Sequence, residues 1–463
     1  MYWRSIRLVL ADVSDVGTGD GPVYRRIARN SIWLAGGTVG AAFFTMVAVA
    51  LSARALDARQ FGILVLLQSA SMALRAATSF STQQPVIKLG ADAQAAGDMN
   101  QLSEIISMGL IVDLVASLFA FVLAMILIEA CGDLIGLATE NTRAARIFAG
   151  ALLFMGFPVS NGIFRLFNSF GRLSLIQAGS AAVNLGIVAT LFATRAGFEA
   201  FLWAWALFLA FAYQLQLWSA IHLVRKQGVP LRFPRNSLAS SNGRLFLQYC
   251  WTTWGTSSAE SFRSHGDSLL VGAIVSVEAA GMFNVAKQIT GVLRKFNMIY
   301  ASTVFPEITR FASRGDVRAA EMLKRRMMVV VTFIGSIAVL ATVWCGEPVL
   351  RLLFGERFAS AHITLIILTA AAAAQLMSHT PSMYVQVYKG PKRLLALFLI
   401  ATAAFAASAI PLTMSYSMPG MAVAQLIFGI VLILACELAL RSNAAPPQGA
   451  IDHIPLPTST EEQ

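Results

Sequence analysis

About twelve apolar stretches, each of roughly 20 residues, leave this chain little choice of fold, because a helix of that length crosses the hydrocarbon core of a bilayer. They run near 31–53, 62–84, 104–128, 144–166, 173–194, 198–222, 246–270, 281–304, 327–346, 360–384, 394–413 and 419–440. The links between them are short, so no extramembrane domain is expected. Composition agrees: 57% of the 463 residues are hydrophobic and 13% are charged, where soluble domains carry about 25% charged residues. The fold class is an all-α polytopic membrane protein.

Basic residues set the orientation. Every second connection collects them: an N-terminal tail with Arg4, Arg7, Arg25, Arg26 and Arg29; Arg165 and Arg172; Arg225, Lys226, Arg232, Arg235 and Arg244; Arg310, Arg314, Arg318, Lys324, Arg325 and Arg326; Lys389, Lys392 and Arg393; and Arg441. The other connections hold fewer, among them Arg54, Arg59, Arg143 and Arg357. By the positive-inside rule the rich set is cytoplasmic and both termini lie inside. The net charge of +11 is thus a topology signal and not a nucleic-acid footprint. The chain divides into a cytoplasmic tail over 1–29, a six-helix bundle over 30–223, a basic cytoplasmic linker over 224–245, a second six-helix bundle over 246–441 and a disordered cytoplasmic tail over 442–463. The apolar run at 6–13 is interrupted by Asp12 and lacks a cleavage site, so it is not read as a signal peptide.

The two bundles repeat one another. Gly62 matches Gly281 at an offset of 219, Gly97 and Asp98 match Gly315 and Asp316 at 218, Gly171 matches Gly390 at 219, and Pro85 matches Pro306 at 221. Equal halves that start on the same side imply a parallel repeat about an axis along the membrane normal. The same register joins two polar stripes: Gln68, Ser71, Arg75 and Thr78 on the second span map onto Lys287, Thr290, Arg294 and Asn297 on the eighth. The seventh span carries Thr253, Thr256, Glu260, Arg263 and Asp267 at helical spacing. A charge in the bilayer centre costs at least ~2.5 kcal/mol, so these residues should face a protein interior or a wet cavity. The expected cavity is central, lined by the first, second, seventh and eighth spans, and cationic at its middle. The plainer alternative is that the charges pair and hold helices together. Asp113, alone on the third span, is either a coupling-ion site or a paired core residue.

Catalytic patterns are missing. There is no Walker phosphate loop, HExxH, GxSxG or CxxC. Cys131, Cys250, Cys345 and Cys436 are too scattered for a disulfide framework or a zinc site. No catalytic residue, metal ligand or cofactor is expected, and His265 and His379 are read as structural hydrogen-bonding groups.

Several short runs carry a family resemblance. They are Arg29-Asn30-Ser31-Ile32-Trp33-Leu34, Ala53-Arg54-Ala55-Leu56 leading to Phe61-Gly62, Pro85 with Lys88, and Asp267-Ser268-Leu269-Leu270-Val271-Gly272. Gly281-Met282-Phe283-Asn284-Val285-Ala286-Lys287 and Phe305-Pro306-Glu307 complete the series. In order and spacing the chain resembles the Wzx-type polysaccharide flippases of the multidrug/oligosaccharidyl-lipid/polysaccharide (MOP) exporter superfamily, over most of 25–440. Phe283 stands where that family commonly has Tyr. Lipid II flippases of the superfamily typically carry two further C-terminal helices, for which this chain has no room.

The resemblance implies two bundles that rock between inward- and outward-open states in the bacterial inner membrane. Its implied substrate is an undecaprenyl-pyrophosphate-linked oligosaccharide, moved from the cytoplasmic to the periplasmic leaflet for lipopolysaccharide O-antigen, capsule or exopolysaccharide. Implied partners are membrane lipid, a polysaccharide polymerase and a chain-length regulator, with a proton or sodium ion as the coupling species. On this footing Arg75, Arg294, Lys287 and Arg263 bind the pyrophosphate, since a guanidinium fork suits bidentate phosphate contact. Glu260, Asp267 and Asp113 tune those charges or exchange the coupling ion. Gln68, Ser71, Thr78, Thr253, Thr256, Thr290 and Asn297 line the cavity. Two other readings compete. A cation-coupled multidrug exporter takes mostly organic cations, which this cavity would repel, and a membrane polysaccharide polymerase usually needs a larger outer loop.

Overall fold

The computed structural model describes residues 21–131, 142–231, 241–314 and 316–441, and every regular element among them is helical. The first lobe comprises α1 (Gly21–Ala55), α2 (Ala58–Thr78), α3 (Gln83–Ala95), α4 (Met99–Cys131), α5 (Thr142–Met155), α6 (Val159–Leu166), α7 (Phe170–Ala193) and α8 (Phe198–Lys226). The second comprises α9 (Ser241–Ile274), α10 (Val277–Ser313), α11 (Val317–Phe354), α12 (His362–Tyr388) and α13 (Pro391–Arg441), with a short 3-10 turn, Glu356–Ala361, ahead of α12. Of the stretches expected to be tails or linker, 1–20, 232–240 and 442–463 lie outside the described residues. Helix α1 begins within the first tail, at Gly21.

Nine stretches among the described residues are long and apolar enough to cross a membrane. Helix α13 counts once there, yet its 51 residues would rise about 76 Å against a core of ~30 Å. It turns at Ser417, whose φ of 58° leaves the helix, and Pro419 opens the returning half. Gly420 permits the close approach: a Cβ there would stand 1.9 Å from the Leu412 carbonyl oxygen. Helices α9 and α10, at 34 and 37 residues, are long enough but carry too much polarity to be counted. With them the crossings number about twelve, as the apolar pattern predicts.

The second span gives way near its basic end, and the fourth is broken midway. Helix α2 gives way to α3 through Ser79–Thr82, where Ser81 has a φ of 49°. Pro85 accounts for this break, because its ring clashes with the carbonyl four residues back and it has no N–H to donate. Helix α5 gives way to α6 at Gly156-Phe157-Pro158, where Pro158 disfavours helical backbone at Phe157. Broken backbone at membrane depth persists only where neighbours satisfy it. Asp113 of α4 serves both breaks: fully buried, it accepts the Thr82 hydroxyl at 2.8 Å and the Val159 amide at 2.9 Å.

The lobes share one core at the end away from the basic links. Phe61, Leu64 and Phe148 pack in it with Phe283, Phe354 and Phe358, and Phe61 meets Phe358 edge to face at 5.7 Å. The repeat mates Gly62 and Gly281 touch there. A Cβ on Gly62 would lie 2.1 Å from the Val277 carbonyl oxygen, and one on Gly281 would lie 3.2 Å from the Gly62 Cα. Contact between equivalent residues is what a two-fold axis through an interface requires. Two arginines clasp the same end reciprocally, Arg54 donating to the Leu352 carbonyl and Arg357 to the Leu56 carbonyl.

At the basic end the apolar core divides in two: one cluster, with Val86, Ile106 and Phe164, takes in Phe246 and Cys250 of α9, and the other holds Ile308, Met383 and Tyr384. Contact between the lobes continues there along the seam of α2 and α3 with α9. The Trp254 indole donates to the Ala77 carbonyl and the Ser258 hydroxyl to the Ala76 carbonyl, both at 2.9 Å, and Lys88 donates to the Tyr249 hydroxyl at 2.6 Å.

Candidate functional site

On α1, α2, α7 and α8 polar residues recur at helical spacing, so each helix turns a polar face inward. These faces enclose a chamber of about 770 Å³ in the first lobe, completed by the two helix breaks and by Ser261, His265, Asn284 and Gln288 of the second lobe. Carboxamides dominate its wall: Gln68, Gln83, Asn161, Gln177, Gln216, Asn284 and Gln288. Trp205, Phe208 and Tyr213 give it an aromatic side. Among the described residues that line it, Arg75 carries the one fixed charge and none is a carboxylate. The Arg75 guanidinium lies over the Tyr213 ring, 5.2 Å from its centroid, a cation–π contact. Arg75 Nε and Ser180 Oγ are buried without hydrogen-bond partners. Buried polar atoms are rarely left so.

A second chamber, of about 660 Å³, lies in the other lobe and is lined by Glu260, Arg263 and His379 together with apolar residues such as Leu394, Phe398 and Leu432. Its arginine is neutralised. Arg263, 5% exposed, donates Nε and Nη2 to the two Glu260 oxygens at 3.1 and 2.6 Å. It donates Nη1 to Gln425 and packs over the Phe428 ring at 4.2 Å. Lys287 is neutralised as well, its Nζ standing 2.5 Å from Oδ1 of Asp267 and donating also to the Ser264 carbonyl. Gln425 links the two pairs, with its Nε2 3.1 Å from the other Asp267 oxygen. A buried ion pair needs such full hydrogen bonding to offset its lost hydration.

Of the four cations expected around a pyrophosphate, Arg75 lines the first chamber, Arg263 lines the second, and Lys287 is buried against Asp267. The side chains of Arg294, Asn297, Thr253 and Thr256 lie outside the described residues. Gln68 lines the first chamber, whereas Ser71, Thr78 and Thr290 turn their hydroxyls to the carbonyls of Leu67, Leu74 and Lys287 on their own helices. The first chamber thus draws on all four expected spans, with Thr38 of the first, Gln68 of the second, Ser261 of the seventh and Asn284 of the eighth, while Arg263 and Glu260 line a second chamber. Sequence reasoning missed Gln425, Tyr213 and the amides Asn161, Gln177 and Gln216. A carboxamide inside an apolar span was the available signal; it lowers hydropathy less than a charge does, although its demand for hydrogen bonds in lipid is real.

The family model described as Polysaccharide biosynthesis protein matches residues 27–312. Inner membrane protein YghQ of Escherichia coli (strain K12) is 23% identical over 343 residues, which cover 73% of this chain and 95% of that protein. Among solved structures, an inward-facing multidrug resistance MATE family transporter of the MOP superfamily matches with a TM-score of 0.70 at 15% identity, covering 87% of this chain and 96% of that one. Lipid II flippase MurJ in an inward closed conformation matches at 0.68 and 15%, covering 89% and 88%. An outward-facing MATE structure matches at 0.59 and 16%, covering 89% and 94%. The chain has the fold of these solved structures, is a multi-pass inner-membrane protein and belongs to the polysaccharide biosynthesis protein family.

Proposed function

We propose that the protein flips an undecaprenyl-pyrophosphate-linked oligosaccharide from the cytoplasmic to the periplasmic leaflet by alternating access, for O-antigen, capsule or exopolysaccharide synthesis. The observation that carries this reading is the first chamber, which is amide-rich, about 770 Å³ in volume, and holds Arg75 with no carboxylate among the described lining residues. A pyrophosphate needs a cation with free N–H groups, and Arg75 makes no ion pair among the described residues. Its planar fork can grip two phosphate oxygens at once. The sugar head needs neutral donors and acceptors beside an aromatic face, and the amides with Trp205 and Phe208 supply both. Lobes sealed by a shared core at one end and joined mainly along α9 at the basic end suit loading from the cytoplasm, given basic links on the cytoplasmic side. Organic cations, the cargo of the competing exporter reading, would meet the wrong sign of charge at Arg75.

A nucleotide is not needed in this scheme, since each elementary charge moved across the membrane is worth ~2.3 kcal/mol per 100 mV. Glu260 and Asp267 are the carboxylates that a coupling proton or sodium ion would address, each shared with a fixed cation. The test is Arg75→Gln in cells lacking the native copy. Protein level should hold while surface glycan falls roughly tenfold or more, the equivalent of losing ~1.5–3 kcal/mol of charged hydrogen bonding. Lipid-linked oligosaccharide should accumulate on the inner leaflet. Full export by this variant would remove Arg75 from the site.

A further inference from the structure

Arg263 and Asp267 stand four residues apart on α9, a spacing at which opposite charges on a helix meet. Here the Gln425 amide stands between them. Its oxygen accepts from Nη1 of Arg263, and its Nε2 lies 3.1 Å from Oδ2 of Asp267. Each charge is left to another partner, Arg263 to Glu260 at 2.6 Å and Asp267 to Lys287 at 2.5 Å. Gln425 belongs to the returning half of α13, and Phe428, one turn on, supplies the ring under the same guanidinium. One short stretch of α13 therefore decides which carboxylate Arg263 meets. The two ends of this network face different chambers. The Glu260 side chain is 48% exposed and lines the second. At the other end Lys287 donates to the Ser264 carbonyl. Asn284 and Gln288 flank Lys287 on α10, Ser261 and His265 flank Ser264 on α9, and all four line the first chamber. Lys287 thus sits one layer behind the wall of the chamber that holds Arg75.

We propose that Gln425 is a positioning residue whose withdrawal with α13 switches Arg263 from Glu260 to Asp267 and hands Lys287 to the pyrophosphate as a second cation. The charges balance in both arrangements. With the amide withdrawn, Arg263 and Asp267 close into one buried neutral pair and Glu260 remains exposed on its own chamber. The released ammonium must then find an anion, since an unpaired buried charge is costly, and the cargo supplies it. This rests on the flippase reading and deepens it, because it ties cargo in the first chamber to the position of a helix in the other lobe.

The test uses the full chain in nanodiscs and reads Lys287 by reductive methylation and mass spectrometry, without cargo. Gln425→Met removes both amide contacts at similar volume and should raise Lys287 labelling severalfold over wild type. Adding Arg263→Gln takes away the replacement partner of Asp267, so Lys287 should stay paired and its labelling should fall back. Labelling that does not rise in Gln425→Met, or that rises equally in the double variant, overturns the switch and leaves the flippase reading in place. Glu260→Gln loosens Arg263 from an exposed site and should also raise Lys287 labelling; it decides the matter if Gln425→Met does not fold, and unchanged labelling there overturns the switch. Binding of farnesyl pyrophosphate then tests delivery to the cargo. Gln425→Met should bind it roughly tenfold or more tightly than wild type, the worth of one added charged hydrogen bond, and Gln425→Met with Lys287→Met should not. Equal affinity of Gln425→Met and wild type overturns delivery of Lys287. If neither protein binds the probe, the flippase reading falls and delivery falls with it.

Discussion

Lys287 and Arg75 look alike in sequence, each a cation at matching register in an apolar span, but their surroundings give them different work. Lys287 lies 2.5 Å from an Asp267 side chain that is 1% exposed. Removing one partner leaves a bare buried ion, so Asp267→Asn or Lys287→Met alone is expected to cost about 3–5 kcal/mol. The thermal midpoint in detergent reads this out, and the double variant should recover most of the loss. A double variant as unstable as the singles would show that the two charges do not act as a pair. Arg75 makes no ion pair among the described residues, and its replacement should fall more on transport than on the midpoint. The sequence could place both cations in the protein interior. It could not show which one carries its own counter-ion, because that depends on how α9 and α10 pack.

The number of crossings and the repeat were legible because span length and helical periodicity are local properties of a chain. The two helix breaks were not. Pro85 and Pro158 each weaken a helix, but whether a proline kinks a span or opens it depends on what satisfies the freed backbone. That partner is Asp113, on a third helix and 46 residues from Val159. Asp113→Leu should leave the Thr82 hydroxyl and the Val159 N–H without an acceptor, at about 1–3 kcal/mol for each group. Asp113→Asn keeps a carbonyl oxygen for Val159, and the Thr82 hydroxyl can rotate to accept from the new amide, so it should cost less than half as much. Thermal unfolding of the two variants distinguishes them, and equal losses would mean that the breaks are held by packing alone. The amides of the first chamber escaped notice for a related reason: α1, α2, α7 and α8 make a binding wall only once the lobe is assembled.

Across the whole molecule, the pairing of Gly62 with Gly281 turns an internal repeat into a mechanical feature. Both glycines lie in the core that closes the end away from the basic links, with the Arg54 and Arg357 clasp beside them. Gly62→Ala drives a methyl group into the Val277 carbonyl, whereas Gly150→Ala meets nothing within 4 Å. Spin labels across the closed end should therefore report a wider separation for Gly62→Ala and no change for Gly150→Ala. Identical distances in both variants would show that the glycine contact does not set the seal. A closed end, a basic end where the lobes meet mainly along α9, and a chamber with Arg75 as the one fixed charge among its described lining residues suit the proposed carrier of an anionic, sugar-bearing lipid. The most direct measurement is translocation itself. The full chain would be reconstituted in liposomes with a radiolabelled polyprenyl-pyrophosphate oligosaccharide in the inner leaflet, and head groups reaching the outer leaflet would be counted with an impermeant glycosidase. The account expects wild-type protein to expose the label and Arg75→Gln not to; exposure no greater than in empty liposomes, or equal in the two proteins, would contradict it.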